Sequence, residues 1–134
     1  MTRGEKSGDR PCVVIVDDVG LLRDLIAQML RTDGRFDVAG EAADGVQAVD
    51  LVRKLQPDVV ILDLMMPVKS GAQAVSEIRK CSPATRILVF SGLAGEKIDG
   101  ASDADGFLRK GSSVAEILAE VERLAHMKRP SDAP

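Results

Sequence analysis

Three aspartates stand directly after short apolar runs of the sequence. Asp17 and Asp18 follow the run that ends at Val16, and Asp63 follows the run that ends at Leu62. Two carboxylates about 4 Å apart repel each other by about 4 kcal/mol at an effective dielectric of 20, so a site that gathers three acids needs positive charge. Mg²⁺ suits a site with few carboxylates and open positions for water. If the two runs are neighbouring strands, the sequence predicts an acidic metal site.

Two further apolar runs end in polar residues. One ends at Ser91, and the other, which contains Phe107, continues into Arg109 and Lys110. A hydroxyl can donate a hydrogen bond to an anion, and an ammonium can neutralise its charge. A single aspartate after a strand is often only a helix cap. Acids, a hydroxyl and an ammonium that each follow a strand favour a binding site instead.

Strand and helix patterns alternate between these residues. Short continuous apolar runs are typical of strands buried on both faces, and apolar residues at helical spacing lie between them. The predicted strands cover residues 12–16, 36–39, 59–62, 87–90 and 107–108. This alternation predicts an α/β fold, a doubly wound five-stranded parallel sheet. If the strand order is 2-1-3-4-5, the first and third strands are neighbours. Function in such a sheet lies beyond the carboxyl ends of the strands, which would bring the three aspartates together.

The predicted helices carry start signals, with one exception. Asp44 and Ser70 are predicted N-caps of the second and third helices, and Ser113 with Glu116 forms a capping box at the last helix. The segment 91–106 holds four glycines and few large apolar residues. We expect the fourth helix, between the last two strands, to be short or irregular.

Length and composition restrict the classes of function. The 134 residues suffice for one domain, predicted at 11–127, between a disordered segment at 1–10 and a tail or linker start at 128–134. The net charge of −3 and the 2% aromatic content argue against direct binding to nucleic acid. No apolar run could cross a membrane and no signal peptide is recognisable. We therefore expect a cytoplasmic protein without a membrane partner.

Four segments of the sequence resemble a known protein family. They are VVIVDD at 13–18, VVILDLMMP at 59–67, LVFSG at 88–92 and FLRKG at 107–111. In this order they resemble the receiver domains of bacterial two-component response regulators, over about residues 12–126. The resemblance implies the flavodoxin-like receiver fold and a signalling function that is controlled by phosphorylation.

The resemblance also assigns roles to the acids. Asp63 would be the phosphoacceptor, with a sensor histidine kinase or a phosphotransfer protein as the donor. Mg²⁺ would be the cofactor, bound by Asp18, Asp63 and the backbone carbonyl of Met65, with Asp17 acting through a coordinated water. The chemistry of the residue agrees, because a carboxylate nucleophile can form an acyl phosphate.

Three residues near the last two strands receive roles in the same way. Ser91 would bind a phosphoryl oxygen, and Lys110 would pair with the phosphate. Ser91 and Phe107 would form a switch that is read by an effector protein or by an output domain outside this chain. The alternative interpretation of Phe107 is an ordinary core aromatic.

The sequence departs from the family pattern in three places. Gly111 stands where the family usually has proline, so we expect the loop after Lys110 to follow a different path. The segment 91–110 is a few residues shorter than usual, which also favours a short fourth helix. Met65 and Leu93, two positions after the predicted phosphoacceptor and serine, have apolar side chains that cannot orient an attacking water. This predicts a long-lived phosphoryl state.

Two other classes of function are open at this point. The chain could be a scaffold or interaction module that keeps the receiver fold and works without phosphorylation. A haloacid-dehalogenase-type phosphatase needs a second aspartate two residues after its nucleophile, where this chain has Met65, and no Walker loop or GxGxxG motif is present. The sequence therefore favours a phosphorylation-controlled signalling protein that is not an enzyme.

Overall fold

The part of the chain that the structure describes contains five strands and four helices. The computed structural model describes residues 10–64, 71–92 and 104–127. The elements follow in the order β1 (Cys12–Val16), α1 (Gly20–Asp33), β2 (Asp37–Ala42), α2 (Gly45–Leu55), β3 (Val59–Leu62), α3 (Gly71–Cys81), β4 (Arg86–Ser91), β5 (Gly106–Arg109) and α4 (Val114–Ala125).

The five strands form one parallel sheet in the order β2-β1-β3-β4-β5. This confirms the predicted α/β class, the doubly wound sheet and its strand order. β1 and β3 are neighbours, and Val16 at the end of β1 pairs with Leu62 at the end of β3. The residues that follow these two positions therefore leave the sheet side by side at its carboxyl edge.

Among the described residues, a pair of helices covers each face of the sheet. Side chains of β1, β3 and β4 pack against α2 and α3 on one face and against α1 and α4 on the other. Successive side chains of a strand point to opposite faces, so Val14 and Val16 lie in the first cluster, whereas Val13 and Ile15 lie in the second. Burial on both faces explains the continuous apolar sequence of β1. It also makes β1 a rigid support for the acids that follow it.

β2 does not coincide with the predicted second strand. The sequence indicated residues 36–39, whereas the strand covers Asp37–Ala42, and Phe36 is buried just before it begins. β2 is an edge strand, and five of its six residues are only partly buried. It therefore lacks the continuous apolar run of a central strand. Its register is set by pairing with β1, which includes an irregularity between Val13 and Val14.

The helix start signals are confirmed at α2 and α4. The side chain of Asp44 accepts a hydrogen bond from the backbone N–H of Gln47 at 2.8 Å. At α4, Ser113 and Glu116 form the capping box, with distances of 2.8 and 3.1 Å. α1 ends at Gly34, whose φ of 86° is a left-handed conformation that favours glycine. These signals fix the ends of the helices that cover the sheet.

Several sequence predictions concern residues outside the described ranges. They are the helix cap at Ser70, the short or irregular helix predicted between β4 and β5, and the terminal segments 1–10 and 128–134 apart from Arg10. The guanidinium of Arg10 lies 3.2 Å from the carboxylate of Asp37. Within the described ranges, no helix combines the length and the apolar character needed to cross a membrane.

Candidate functional site

Asp17 and Asp63 leave the sheet from adjacent strands. The backbone N–H of Asp17 donates to the carbonyl of Ala42 on β2, and that of Asp63 donates to the carbonyl of Val16 on β1, both at 3.1 Å. Each aspartate is only 2% exposed. Sheet hydrogen bonds thus continue to both acids. Both are buried and are held at the ends of β1 and β3.

Asp18 completes a group of three acids. One carboxylate oxygen from each of Asp17, Asp18 and Asp63 lies within 4.8 Å of the other two. Asp18 is exposed, whereas its two partners are buried. The structure therefore brings together the three aspartates that the sequence placed at the ends of the first and third strands.

The ammonium of Lys110 lies between the two buried acids. Its Nζ is 3.1 Å from Oδ2 of Asp17 and 3.1 Å from Oδ2 of Asp63. Partial burial alone would lower the pKa of Lys110, but the hydrogen bonds and charges of the two carboxylates outweigh this effect and raise the pKa above its ordinary value. Lys110 is therefore charged at neutral pH and links the ends of β1 and β3.

Lys110 reaches the acids because contacts at both ends of β5 fix this short strand. The backbone N–H of Lys110 donates to the carbonyl of Ser91 at 2.9 Å. Before the strand begins, the carboxylate of Asp105 accepts a hydrogen bond from the backbone N–H of Ile87 at 2.7 Å and pairs with the buried guanidinium of Arg86 at 3.4 Å. These contacts set the position of β5 along β4, and hence the position of the ammonium.

Gly111, the residue after Lys110, adopts a conformation that suits glycine. Its φ is 105°, in the left-handed region where L side chains are strained. Proline fixes φ near −65° and could not adopt this backbone. The loop therefore follows a different path from the one that proline would impose, as expected, and Lys110 still contacts both acids.

The two predicted switch residues occupy different environments. Ser91 is the last residue of β4, at the same edge as the acids, and is 1% exposed. Phe107 lies on β5 and is 41% exposed, so the alternative interpretation of Phe107 as a core aromatic is wrong. The switching role of both residues stays a prediction.

The three acids have the donor atoms that Mg²⁺ prefers. Carboxylate oxygens suit this hard cation, and a site with few of them leaves coordination positions for water. Three carboxylates and the ammonium of Lys110 leave an excess of negative charge that a divalent cation would offset. The side chains of Asp17, Asp18 and Asp63 therefore fit Mg²⁺. The further predicted ligand, the carbonyl of Met65, lies outside the described residues, as does Leu93.

Sequence reasoning missed two charged residues beside the acids. The guanidinium of Arg23 on α1 donates from Nη1 to the main-chain carbonyl of Asp17 at 2.7 Å and from Nε to Oε1 of Glu41 at 3.2 Å. Glu41 lies next to the last residue of β2, near the same sheet edge. The predicted second strand ended at residue 39, so Glu41 was not expected at the carboxyl edge of the sheet. A strand extended to residue 42 would have placed it there.

A family model described as the response regulator receiver domain matches residues 13–122. The matched range covers most of the chain and includes the three acids, Ser91 and Lys110. The chain belongs to this family. It is a receiver domain of the kind found in two-component response regulators, as the four sequence segments predicted.

Relatives of this receiver domain differ in how much of their length it spans. Protein CcdB of Bacillus subtilis is 35% identical over 118 residues, which cover 84% of this chain and 95% of that protein. Chemotaxis protein CheY of Halobacterium salinarum is 34% identical over 101 residues, 73% of this chain and 82% of that protein. Protein-glutamate methylesterase/protein-glutamine glutaminase 2 of Photobacterium profundum is 45% identical over 92 residues, 69% of this chain. The chain spans only 23% of the length of that methylesterase.

Solved receiver structures share the fold. The signal receiver domain of the response regulator NarL from Mycobacterium tuberculosis is 34% identical, with a TM-score of 0.83 over 90% of this chain and 100% of that chain. The response regulator domain of Thermotoga maritima CheB is 26% identical, with a TM-score of 0.79 over 88% of this chain and 98% of that chain. These likenesses confirm the flavodoxin-like receiver fold.

Proposed function

We propose that this receiver domain accepts a phosphoryl group on Asp63 from the phosphohistidine of a sensor histidine kinase or a phosphotransfer protein. The observation that carries the proposal is the position of the Lys110 ammonium, 3.1 Å from each of the two buried acids, Asp17 and Asp63. A cation held at the end of β3 is well placed to meet an anionic group on Asp63. Membership of the receiver family supports the same assignment.

Phosphoryl transfer depends mainly on positioning and on neutralisation of charge. A carboxylate oxygen of Asp63 attacks the phosphorus atom, so that a P–O bond forms and the P–N bond to the donor imidazole breaks. The imidazole nitrogen keeps the electron pair of the broken bond and takes up a proton. When bound, Mg²⁺ would supply positive charge to the phosphoryl oxygens. Asp18 and Asp63 would hold the ion directly, and Asp17 would act through a water molecule.

Asp17 and Ser91 have supporting roles in this proposal. Because Lys110 is shared, Asp17 keeps the ammonium at the site while the charge on Asp63 changes. Lys110 then pairs with the phosphoryl group, and the buried hydroxyl of Ser91 donates a hydrogen bond to a phosphoryl oxygen.

The phosphoryl group is also the signal. It carries about −1.5 to −2 units of charge at neutral pH, in place of the single negative charge of the free Asp63 carboxylate. Ser91 moves toward this charge, and the ring of Phe107, which is exposed on β5, turns into the space that Ser91 leaves. A downstream effector reads the altered surface, as in other switches that a local charge biases. The chain acts as an acceptor and performs no catalytic turnover of its own.

The test is incubation of the full chain with Mg²⁺ and acetyl phosphate, followed by intact mass measurement. We expect the wild type to gain one phosphoryl group and the Asp63→Ala variant to gain none. Asp50→Ala is the matched control, because Asp50 is an exposed aspartate of α2 that pairs with Arg53 outside the site. This control should be labelled like the wild type.

Two outcomes would contradict the proposal. Equal labelling of the wild type and Asp63→Ala would place the phosphoryl group on another residue. Absence of labelling with acetyl phosphate, and also with phosphoramidate, would favour the scaffold that works without phosphorylation.

A further inference from the structure

A side chain from α1 fixes the peptide group between Asp17 and Asp18. Nη1 of Arg23 donates to the carbonyl oxygen of Asp17 at 2.7 Å. This carbonyl belongs to the planar unit that joins the Cα atoms of the two aspartates. A single hydrogen bond therefore restrains the orientation of the unit from which both carboxylates project.

The other polar groups of Asp17 are engaged as well. Its N–H donates to the carbonyl of Ala42 at 3.1 Å, its Oδ1 accepts from the backbone N–H of Val19 at 2.9 Å, and its Oδ2 pairs with Lys110. The contact with Arg23 is the one that a substitution can remove without altering the main chain, the acids or the ammonium. It can therefore be tested separately.

Glu41 supports the guanidinium in this position. Nε of Arg23 donates to Oε1 of Glu41 at 3.2 Å, and both side chains are largely buried, at 22% and 26% exposed. The planar fork of arginine can bond two acceptors at once, whereas lysine presents a single point charge. Because the carboxylate of Glu41 offsets the guanidinium charge, the pair adds little net charge to the site.

We propose that Arg23, supported by Glu41, is a positioning residue for the metal and phosphoryl site, acting through the Asp17–Asp18 peptide group rather than through its charge. The inference rests on the proposed function, since it concerns the same acids. Without the hydrogen bond from Arg23, mutual repulsion favours separation of the two carboxylates. Mutation of a group that orients metal ligands typically lowers metal affinity by about tenfold to a hundredfold.

The experiment compares variants of the full chain that separate geometry from charge. Arg23→Lys keeps the charge and loses the two-acceptor fork, whereas Glu41→Gln keeps an acceptor oxygen and removes a charge. The readouts are the Kd for Mg²⁺ by calorimetry and the rate of labelling by acetyl phosphate at low and at saturating Mg²⁺. Arg53→Lys is the matched control, since Arg53 pairs with an aspartate on the exposed surface of α2.

We expect Arg23→Lys to raise the Kd for Mg²⁺ by roughly tenfold and to slow labelling at low Mg²⁺. Saturating Mg²⁺ should bring the labelling rate back toward the wild-type value. Glu41→Gln should change the Kd less than Arg23→Lys does, and Arg53→Lys should match the wild type. If Arg23→Lys does not fold, Glu41→Ala removes the support instead, and the Kd should rise in the same direction.

The outcomes distinguish the inference from the proposed function. A wild type that binds Mg²⁺ and is labelled, with an Arg23→Lys variant that matches it in both readouts, would overturn the inference alone. So would a variant that melts at a lower temperature with an unchanged Kd, because Arg23 would then have only a structural role. A larger effect of Glu41→Gln than of Arg23→Lys would show that charge is what matters. A wild type that neither binds Mg²⁺ nor is labelled would overturn both proposals.

Discussion

The ammonium of Lys110 lies 3.1 Å from Oδ2 of Asp63, a residue 47 positions earlier in the chain. The same nitrogen lies 3.1 Å from Oδ2 of Asp17. One cation thus serves two buried carboxylates, with a third acid close by. Removal of the cation and removal of an acid should therefore have opposite effects on stability.

Lys110→Met should destabilise the domain. The substitution leaves two buried carboxylates without their shared cation, and loss of one partner of a buried ion pair costs about 3 kcal/mol or more. The measurement is urea unfolding at pH 7 without Mg²⁺. Lys54→Met, at an exposed position of α2, is the control for loss of a lysine. Equal stability of the two variants would show that the ammonium contributes nothing.

Asp63→Asn should stabilise the domain in the absence of Mg²⁺. The amide oxygen can still accept a hydrogen bond from Lys110, while repulsion from Asp17 and Asp18 disappears. At an effective dielectric of 20, two repulsions across at most 4.8 Å exceed one attraction across 3.1 Å by about 1.5 kcal/mol. The same urea titration measures it. A variant less stable than the wild type would mean that attraction to Lys110 exceeds the repulsion among the acids.

Mg²⁺ should raise the melting temperature of the wild type. The three acids come together only in the folded chain, so a cation that binds them stabilises the folded state, by about 2.7 kcal/mol at one hundred times its Kd. Thermal scans at increasing Mg²⁺ concentration test this. The shift should be much smaller for Asp18→Asn, and Asp50→Asn should behave like the wild type. A melting temperature that does not respond to millimolar Mg²⁺ would contradict the metal site.

The contribution of Lys110 to stability should disappear at alkaline pH. Its pKa in the folded protein is raised above the ordinary 10.5, because the two carboxylates outweigh the opposing effect of partial burial. For a raised pKa, the stabilisation is fully present below the unfolded-state value and is lost as the pH rises through the folded-state value. The difference in unfolding free energy between the wild type and Lys110→Met should therefore be constant between about pH 7 and pH 10 and shrink above pH 10. A difference that stays constant well above the ordinary pKa of lysine would contradict this assignment.

Met65→Asn should shorten the lifetime of the phosphorylated protein. This prediction comes from the sequence, since the apolar side chain of Met65 cannot orient an attacking water and asparagine can. The measurement is the decay of the phosphorylated mass after removal of the phosphodonor. Met65→Leu is the control that keeps the position apolar. Unchanged or slower decay in the asparagine variant would refute the idea.

The sequence was most informative where strands are buried on both faces. β1 and β3 were predicted with their observed bounds, because continuous apolar runs of four or five residues allow few other interpretations. The acids that follow were therefore placed correctly at one sheet edge. The predicted strand order makes β1 and β3 neighbours, whereas the pairing of Val16 with Leu62 is given by the structure.

The sequence was least informative at the sheet edge and for long side chains. β2 is partly exposed, so its composition gave only a weak signal, and the last part of the strand, with Glu41, was missed. No periodicity predicts that Arg23 bonds a main-chain carbonyl, because that contact depends on how α1 packs beside β1 and β2. The exposure of Phe107 was likewise not predictable from its strand pattern, because β5 is an edge strand of the described sheet.

The ammonium that Asp17 and Asp63 share should also affect folding during synthesis, because Lys110 follows both acids in the chain. A ribosome releases Asp17, Asp18 and Asp63 well before Lys110. Until β5 emerges, burial of the first and third of these acids lacks its counter-charge and is unfavourable. The nascent domain should therefore become native only after its fifth strand has left the exit tunnel.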